Sequence, residues 1–205
     1  YRNVALGSSA LFTKTTGNDN TAIGTNALYA NTTASNNTAV GFNAGTAVTT
    51  GTGNTLLGGL AGDALLASAD NVAVGYLSLS TETGGQNNVA IGRSALENQV
   101  NSSGNIYNTA VGAKAGLSVT TGVQNTFVGA LAGDAITTGG GNIAVGHQAL
   151  STNTTGSSNV CVGQNAGHDS TTGSNNTAVG MYAGVGLTTG GNTLLLGHDG
   201  GRSGS

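Results

Sequence analysis

Two branched residues flank a small one, and a glycine follows, at regular intervals along the chain. Residues 20–24, Asn-Thr-Ala-Ile-Gly, show the pattern. The closing glycines fall at 7, 24, 41, 58, 75, 92, 112, 129, 146, 163, 180 and 197, so that all spacings are equal except the longer one between Gly92 and Gly112. Such alternation is typical of a short β-strand, and a fixed period indicates a repeat architecture. The pattern predicts an all-β parallel solenoid of twelve 17-residue coils, forming one domain over residues 1–200.

Each predicted strand offers two different faces. The residue before the closing glycine is always Leu, Ile or Val, and the residue two before it is mostly alanine. We expect the branched residues to form the buried face of the strand, since burial of large apolar groups drives folding. We then expect the alanine face to pack closely against another copy of the chain. The asparagine that opens each strand is expected to bond to local backbone or to stack with its equivalents in a ladder.

The turn after each strand contains two positions that vary together. Four residues after the closing glycine, five coils carry leucine and six carry glycine. Three residues further on, the leucine coils have a polar residue, and the glycine coils have an apolar one except at Ser170. We interpret the exchange as one aliphatic slot per coil, filled from either position. Leu28→Ala should then cost about 2–5 kcal/mol, and Asn31→Ala should be nearly silent. The Thr-Thr-Gly turns that follow are expected to place glycine at positive φ.

The longer spacing locates an insertion at residues 100–107. This segment adds three residues and ends on an aromatic one. Insertions in repeat proteins map to loops on one face, often the binding face. Asn105 and Tyr107 are therefore the candidate ligand-binding residues, since a tyrosine ring stacks well on a sugar. The alternative is a bulge that only absorbs a change of register.

Composition narrows the possible functions. Only 6% of the residues are charged, the net charge is −3, and the five Lys and Arg are scattered, so the sequence predicts no nucleic-acid partner. The three histidines and the single Cys161 share no ligand spacing, and residues 51–58 mimic a dinucleotide fingerprint only through the repeat. We expect no catalytic, metal or cofactor site. No apolar run has membrane length, so no membrane insertion by this segment is expected. Residues 201–205 read as a cloning remnant.

The repeats resemble the heads of trimeric autotransporter adhesins. The resemblance rests on the unit Asn-Thr-Ala-Val-Gly followed, after two residues, by Ala-Leu or Ala-Gly. It implies a left-handed parallel β-roll that assembles as a homotrimeric rod. The repeat of those heads is shorter than the one in this chain, and the longer form is similar to repeats of tail-fibre-type surface proteins of bacteria and phages.

The resemblance also implies a function and a location. It predicts a non-enzymatic, extracellular fibre segment that displays or spaces binding sites for a cell-surface glycan or protein receptor. The alternative is a phage tail-fibre shaft or receptor-binding segment. A remote alternative is an ice-binding solenoid, because Thr21, Thr38 and Thr55 begin a column that later strands interrupt with valine and isoleucine.

Overall fold

The computed structural model describes residues 2–101 and 103–199, and within them the protein is built from short strands without helices. The predicted tail at 201–205 lies outside the described residues. Fourteen strands follow in chain order: β1 Val4–Leu6, β2 Thr21–Ile23, β3 Thr38–Val40, β4 Thr55–Leu57, β5 Val72–Val74, β6 Gly85–Gln86, β7 Val89–Ile91, β8 Gly104–Asn105, β9 Thr109–Val111, β10 Thr126–Val128, β11 Ile143–Val145, β12 Val160–Val162, β13 Thr177–Val179 and β14 Leu194–Leu196.

Twelve of these strands form one parallel sheet, and each strand pairs with the equivalent strand of the next coil. Thr21 lies opposite Thr38, so the register equals the sequence period. Across the insertion, Val89 of β7 pairs with Thr109 of β9, and the sheet continues without a shift. The extra residues are taken up by a separate pair, β6 with β8. The predicted parallel β-solenoid is confirmed, with eleven turns joining twelve strands.

The two faces of the main sheet are the reverse of our expectation. The middle residue is buried in every main-sheet strand except the terminal β1 and β14, and Ala22, Ala39 and Ala73 have no exposed surface within a single chain. The flanking residues are half-buried or exposed, as in the intermediate–buried–intermediate pattern of β2. The prediction that alanine lines a contact between copies is wrong, because the solenoid interior already buries these side chains.

Leu56 and Phe127 explain why alanine belongs inside. Both occupy the middle strand position, both are fully buried, and both lie between coils with glycine at the first slot position, four residues after the closing glycine. A Cβ added at Gly116 would lie 2.8 Å from the Phe127 ring, and one at Gly45 would lie 2.6 Å from Leu56 Cδ1. The interior has a nearly fixed volume, and large and small residues alternate to fill it.

The asparagines that open the strands form a continuous buried ladder. From Asn20 to Asn176, the backbone N–H of each asparagine donates to the Oδ1 of its equivalent one coil earlier at 2.8–3.1 Å. The side-chain amide reaches a carbonyl of the following turn, as Asn125 Nδ2 does at Gly139, 3.0 Å away. In the last coil Thr193 takes this place and donates its N–H to Asn176 Oδ1 at 3.2 Å. Of the two expected arrangements, the ladder is the one that forms.

The slot hypothesis holds for the apolar residues and is incomplete for the polar ones. Leu28 and Leu65, at the first and second slot positions respectively, are fully buried. At the second slot position, seven after the closing glycine, the polar residues Asn31, Glu82, Gln99 and Asn153 are also fully buried, whereas Lys14 is only half-buried. The alternation of leucine and glycine at the first slot position also depends on the backbone. Leu28 and Gly45 both have a positive φ, at +50° and +58°. Leucine at this position offsets an unfavourable left-handed backbone by burial.

Two kinds of glycine are fixed by close approach between coils. The closing Gly58 has φ +138°, and an added Cβ would lie 2.7 Å from the backbone of Gly75. The glycine of the Thr-Thr-Gly turns does not have the positive φ we expected. Gly156 is instead required because a Cβ would overlap the carbonyl oxygen of Gly173 in the next turn.

Candidate functional site

The outward residues of the main sheet form an apolar band along the whole solenoid, which we call the outer stripe. It consists of the first and third residues of the twelve main-sheet strands, all of them Val, Ile, Leu or Thr. In the middle of the rod, Ile91, Val128 and Ile143 are 37%, 38% and 40% exposed. No charged residue interrupts the stripe. Large exposed apolar patches on proteins are often places of contact with other molecules, and the stripe is an extended, partly exposed apolar surface of this kind.

A second surface lies at the insertion, where the coils are irregular. The buried carboxylate of Glu82 holds the backbone beneath this surface through hydrogen bonds. Glu82 Oε1 accepts hydrogen bonds from the backbone N–H groups of Thr83, Gly84 and Gly85 at 2.8–3.0 Å. It also accepts from the backbone N–H of Asn101 at 3.1 Å. Glu82 has no exposed surface. The carboxylate therefore binds both the start of β6 and Asn101, which precedes β8 in the chain.

The second oxygen of Glu82 ties the insertion to the asparagine ladder. Gln99 Nε2 donates to Glu82 Oε2 at 2.7 Å, and Gln99 Oε1 accepts from Asn108 Nδ2 at 2.8 Å. Asn108 is itself a ladder member, and its Nδ2 also donates to the Gly122 carbonyl at 2.7 Å. In regular coils the side-chain Nδ2 of the ladder asparagine often donates to the Oδ1 of the preceding ladder asparagine. At Asn108 the acceptor for Nδ2 is Gln99 Oε1 instead, so the side-chain network continues where the insertion lengthens the coil.

Above this anchor, the predicted residues Asn105 and Tyr107 both lie at the surface. Asn105 belongs to β8, and its Oδ1 accepts from Asn87 Nδ2 at 2.8 Å. Tyr107 is 52% exposed. Ile106, between them, is only 4% exposed, and its N–H donates to the Gln86 carbonyl at 3.0 Å. Sequence reasoning found the two surface residues but not Glu82 or Gln99, whose positions in the slot column gave the available signal.

Other exposed aromatic residues are spread over different columns of the solenoid. Phe12 and Tyr29 stack with ring centroids 5.5 Å apart and planes 2° apart. Phe42 and Tyr76 occupy the position just after the closing glycine, two coils apart, and are 57% and 51% exposed. Tyr76 lies over Gly59, where an added Cβ would be 3.5 Å from its ring. These rings lie on coils of regular length, and most other coils carry non-aromatic residues at the equivalent positions.

The titratable groups of the described part of the chain are scattered. Among residues 2–101 and 103–199, no three His, Cys, Asp or Glu side chains come together as a metal site. Burial raises the pKa of the Cys161 thiol to about 12. Burial also raises the pKa of the Asp63 and Asp134 carboxyls above their ordinary value of 3.8. His168 Nδ1 lies 2.8 Å from its neighbour Asp169, at the surface.

Comparisons with known proteins add no name to this arrangement. Protein-family profiles, curated proteins and solved structures give no significant match to the chain. No helix suited to crossing a bilayer is found in the part of the chain that the structure describes.

Proposed function

We propose that this chain is a non-enzymatic segment of an extracellular fibre, in which identical rods pack through their outer stripes and display or space cell-surface binding sites. The outer stripe is the observation that carries the proposal. A single solenoid leaves it in water, although it runs from Val4 and Leu6 to Leu194 and Leu196. A stable oligomer offsets that exposure because it removes the whole band from water at once.

The period of the stripe supports a second copy of the same chain as its occupant. Its side chains repeat once per coil, at the spacing of parallel strands, about 4.8 Å. A partner that contacts the stripe equally at every coil must repeat at the same distance along the rod, and another copy of this chain does so. Rotation about an axis parallel to the rod keeps equal coils at equal height and closes the assembly. The number three comes from the resemblance to adhesin heads, as does the left-handed coil.

The mass of the assembly in solution tests the proposal. One chain weighs 19.7 kDa, and a homotrimer weighs three times as much. Analytical ultracentrifugation at micromolar concentration should give the trimer mass. Small-angle scattering should give a rod whose solenoid length is about 53 Å, from eleven steps of about 4.8 Å. A stable monomer at this concentration would refute the assembly and with it the proposed fibre.

The bearer of the fibre is a separate part of the proposal. A bacterial adhesive fibre and a phage tail-fibre shaft use the same rod physics, and the outer stripe serves both equally. Binding of the oligomer to intact bacterial cells, compared with binding to animal cells, separates the two. Preferential binding to bacteria favours the phage fibre, and preferential binding to animal cells favours the adhesin.

Regular threonine columns favour ice binding as a second candidate function. Thr121, Thr138 and Thr155 are exposed and belong to one column of the Thr-Thr-Gly turns that continues to Thr189. Their hydroxyls make no hydrogen bond within the described chain, so they are free to order water at a spacing of about 4.8 Å. Thermal hysteresis measured on the protein tests this function. Activity lost on replacing Thr138 by lysine would support it over the fibre.

A further inference from the structure

We propose that the surface formed by β8 and Tyr107 is a preformed binding site for a neutral glycan, with the Tyr107 ring as its platform and the amides around it as its hydrogen-bonding groups. The inference rests on the proposed function only for the display of several copies of the site on one fibre. The site itself is built within a single chain, from the surface of β8 and the residues that follow it. Three observations carry the proposal: backbone strain at Tyr107, rigidity beneath it, and the chemistry of its neighbours.

Tyr107 occupies a backbone position that is poorly suited to an aromatic residue. Its φ is +57°, in the left-handed region. The equivalent positions of the other coils are filled by Asp, Asn, Gly, Gln or Ser, as at Asn36, Gly53 and Ser158. Those residue types tolerate this conformation or are favoured there more than tyrosine is. Because Tyr107 is half-exposed, burial offsets little of the strain, and strained residues that packing does not explain cluster at binding sites.

The surface around Tyr107 is held rigidly. The six hydrogen bonds accepted by Glu82 fix the turn below β6 and the start of the insertion at Asn101. The Ile106 carbonyl accepts from the N–H of Gln124 in the next coil at 2.8 Å. Tyr107 is thus bracketed by backbone that is tied to both neighbouring coils. A site held in advance loses little conformational entropy when it binds a ligand.

The chemistry around the ring indicates a neutral, hydroxyl-rich ligand. Asn87 and Gln124 occupy the position equivalent to Tyr107 in the two adjacent coils, about 4.8 Å away on either side. With Asn105 they supply amides that both donate and accept hydrogen bonds, as paired sugar hydroxyls require. No residue from Val100 to Tyr107 is charged. A tyrosine ring offers a flat apolar surface with a polar edge, which suits the apolar face of a pyranose ring.

Binding of defined oligosaccharides to the intact oligomer tests the site. The probes are neutral oligosaccharides of glucose, galactose and mannose, with sialylated and sulfated sugars as the charged comparison. We expect binding to neutral probes only, and a loss of affinity of at least about tenfold in Tyr107→Asn. The control is Tyr76→Asn, which removes an equally exposed ring from a regular coil and should leave affinity unchanged. Binding of charged sugars alone, or of no sugar, would overturn the inference.

Stability separates a binding role for Tyr107 from a structural one. Asparagine is the residue found at this backbone position in Asn36, Asn87 and Asn175. Tyr107→Asn should therefore raise the melting temperature by about 2–4 °C while affinity falls. A lower melting temperature or a changed oligomer mass would mean that Tyr107 supports the fold or the assembly, and would refute the site. If the wild-type protein forms no oligomers, the fibre proposal is refuted, and binding of the neutral oligosaccharides by the monomer then supports the site, whereas no binding overturns it.

Discussion

At the scale of single residues, the interior of the solenoid has a packing defect beside Cys161 and Ser170. A cavity of about 10 Å³ lies there, and its lining includes Leu150, Cys161, Gly167, Ser170, Gly184 and Leu187. The coil of Gly167 and Ser170 is the one in which neither slot position carries an aliphatic side chain. An empty space of this size forgoes packing contacts without gaining a well-bonded water. The slot hypothesis therefore accounts for the position of the defect.

Filling this cavity should stabilise the protein. Ser170→Val places in this coil the side chain that Val48 and Val119 provide in theirs, and we expect a gain of about 1 kcal/mol in the free energy of unfolding. The Ser170 hydroxyl accepts from Asn153 Nδ2, which keeps a second acceptor at Gly173. Chemical denaturation measures the effect. The matched control Thr172→Val lies on the exposed turn and should be neutral, whereas a destabilised Ser170→Val would show that the slot is not empty.

Asp63 and Asp134 give the stability of the protein a defined dependence on pH. Both carboxyls are half-buried, and burial raises the pKa of each. A folded-state pKa above the unfolded value favours folding at pH below 3.8, and this contribution is lost as the pH rises through the folded pKa. The Asp63→Asn, Asp134→Asn double variant should therefore stabilise more at pH 7 than at pH 4. Denaturation at the two pH values measures the difference, and a larger gain at pH 4 would contradict the assignment.

Residue patterns predicted the strands well but assigned their faces wrongly. Period and alternation determined the register, because a repeat of one length leaves one way to stack the coils. Which face turns inward depends on interior volume, which a single strand does not reveal. Leu56 and Phe127 carried the missing signal, since each large residue at the alanine position lies between two glycine slots. Because a large residue at the middle strand position accompanies glycine at the first slot position, the two side chains must occupy the same part of the solenoid interior.

At the scale of one coil, the slot hypothesis can be tested as an exchange. Leu28→Gly should destabilise by about 2–5 kcal/mol, because it empties a fully buried position. Asn31→Leu alone adds a second large apolar group to the same space, and overpacking costs about 1–3 kcal/mol. The double variant recreates the arrangement of Gly62 and Leu65, so the two costs should largely cancel. A double-mutant cycle measures the coupling, and additive costs would refute a shared slot.

Asn31 is a polar slot residue that is buried without hydrogen bonds to its side chain. Neither polar atom of its fully buried side-chain amide has a hydrogen-bond partner. The prediction that Asn31→Ala is nearly silent stands, but for a different reason. Removal of the amide relieves unpaired polar atoms, and this gain offsets the lost packing.

Glu82 is the polar slot residue whose loss should matter most. Glu82→Gln replaces one carboxylate oxygen by an amide that donates, where every surrounding group is also a donor. We expect a loss of about 1–3 kcal/mol, concentrated in the strand pair β6–β8. Hydrogen exchange should accelerate at Thr83, Gly84 and Gly85. Glu97→Gln, one coil later and half-buried, is the matched control, and equal effects from the two variants would rule out a special role for the Glu82 network.

At the scale of the whole molecule, the outer stripe and the threonine turns from Thr121 to Thr189 are two surfaces of different character, the first rich in branched apolar residues and the second in hydroxyl groups. Lysines at Val111, Val128 and Val145 place three charges on the stripe in consecutive coils. In a closed assembly, equal coils lie at equal height, so each substitution brings like charges together across the interface. Desolvation and repulsion should then leave a folded monomer of 19.7 kDa.

The control for this triple variant carries the same three charges on the other surface. Lysines at Thr121, Thr138 and Thr155 alter the exposed turns of the neighbouring coils and should leave the oligomer intact. A third variant, with threonine at Val111, Val128 and Val145, keeps the strand propensity and should weaken association without unfolding the chain. Sedimentation of all three at equal concentration decides the matter. Dissociation by the turn lysines and not by the stripe lysines would place the interface on the threonine face, and the rods would then have to meet through hydroxyl groups.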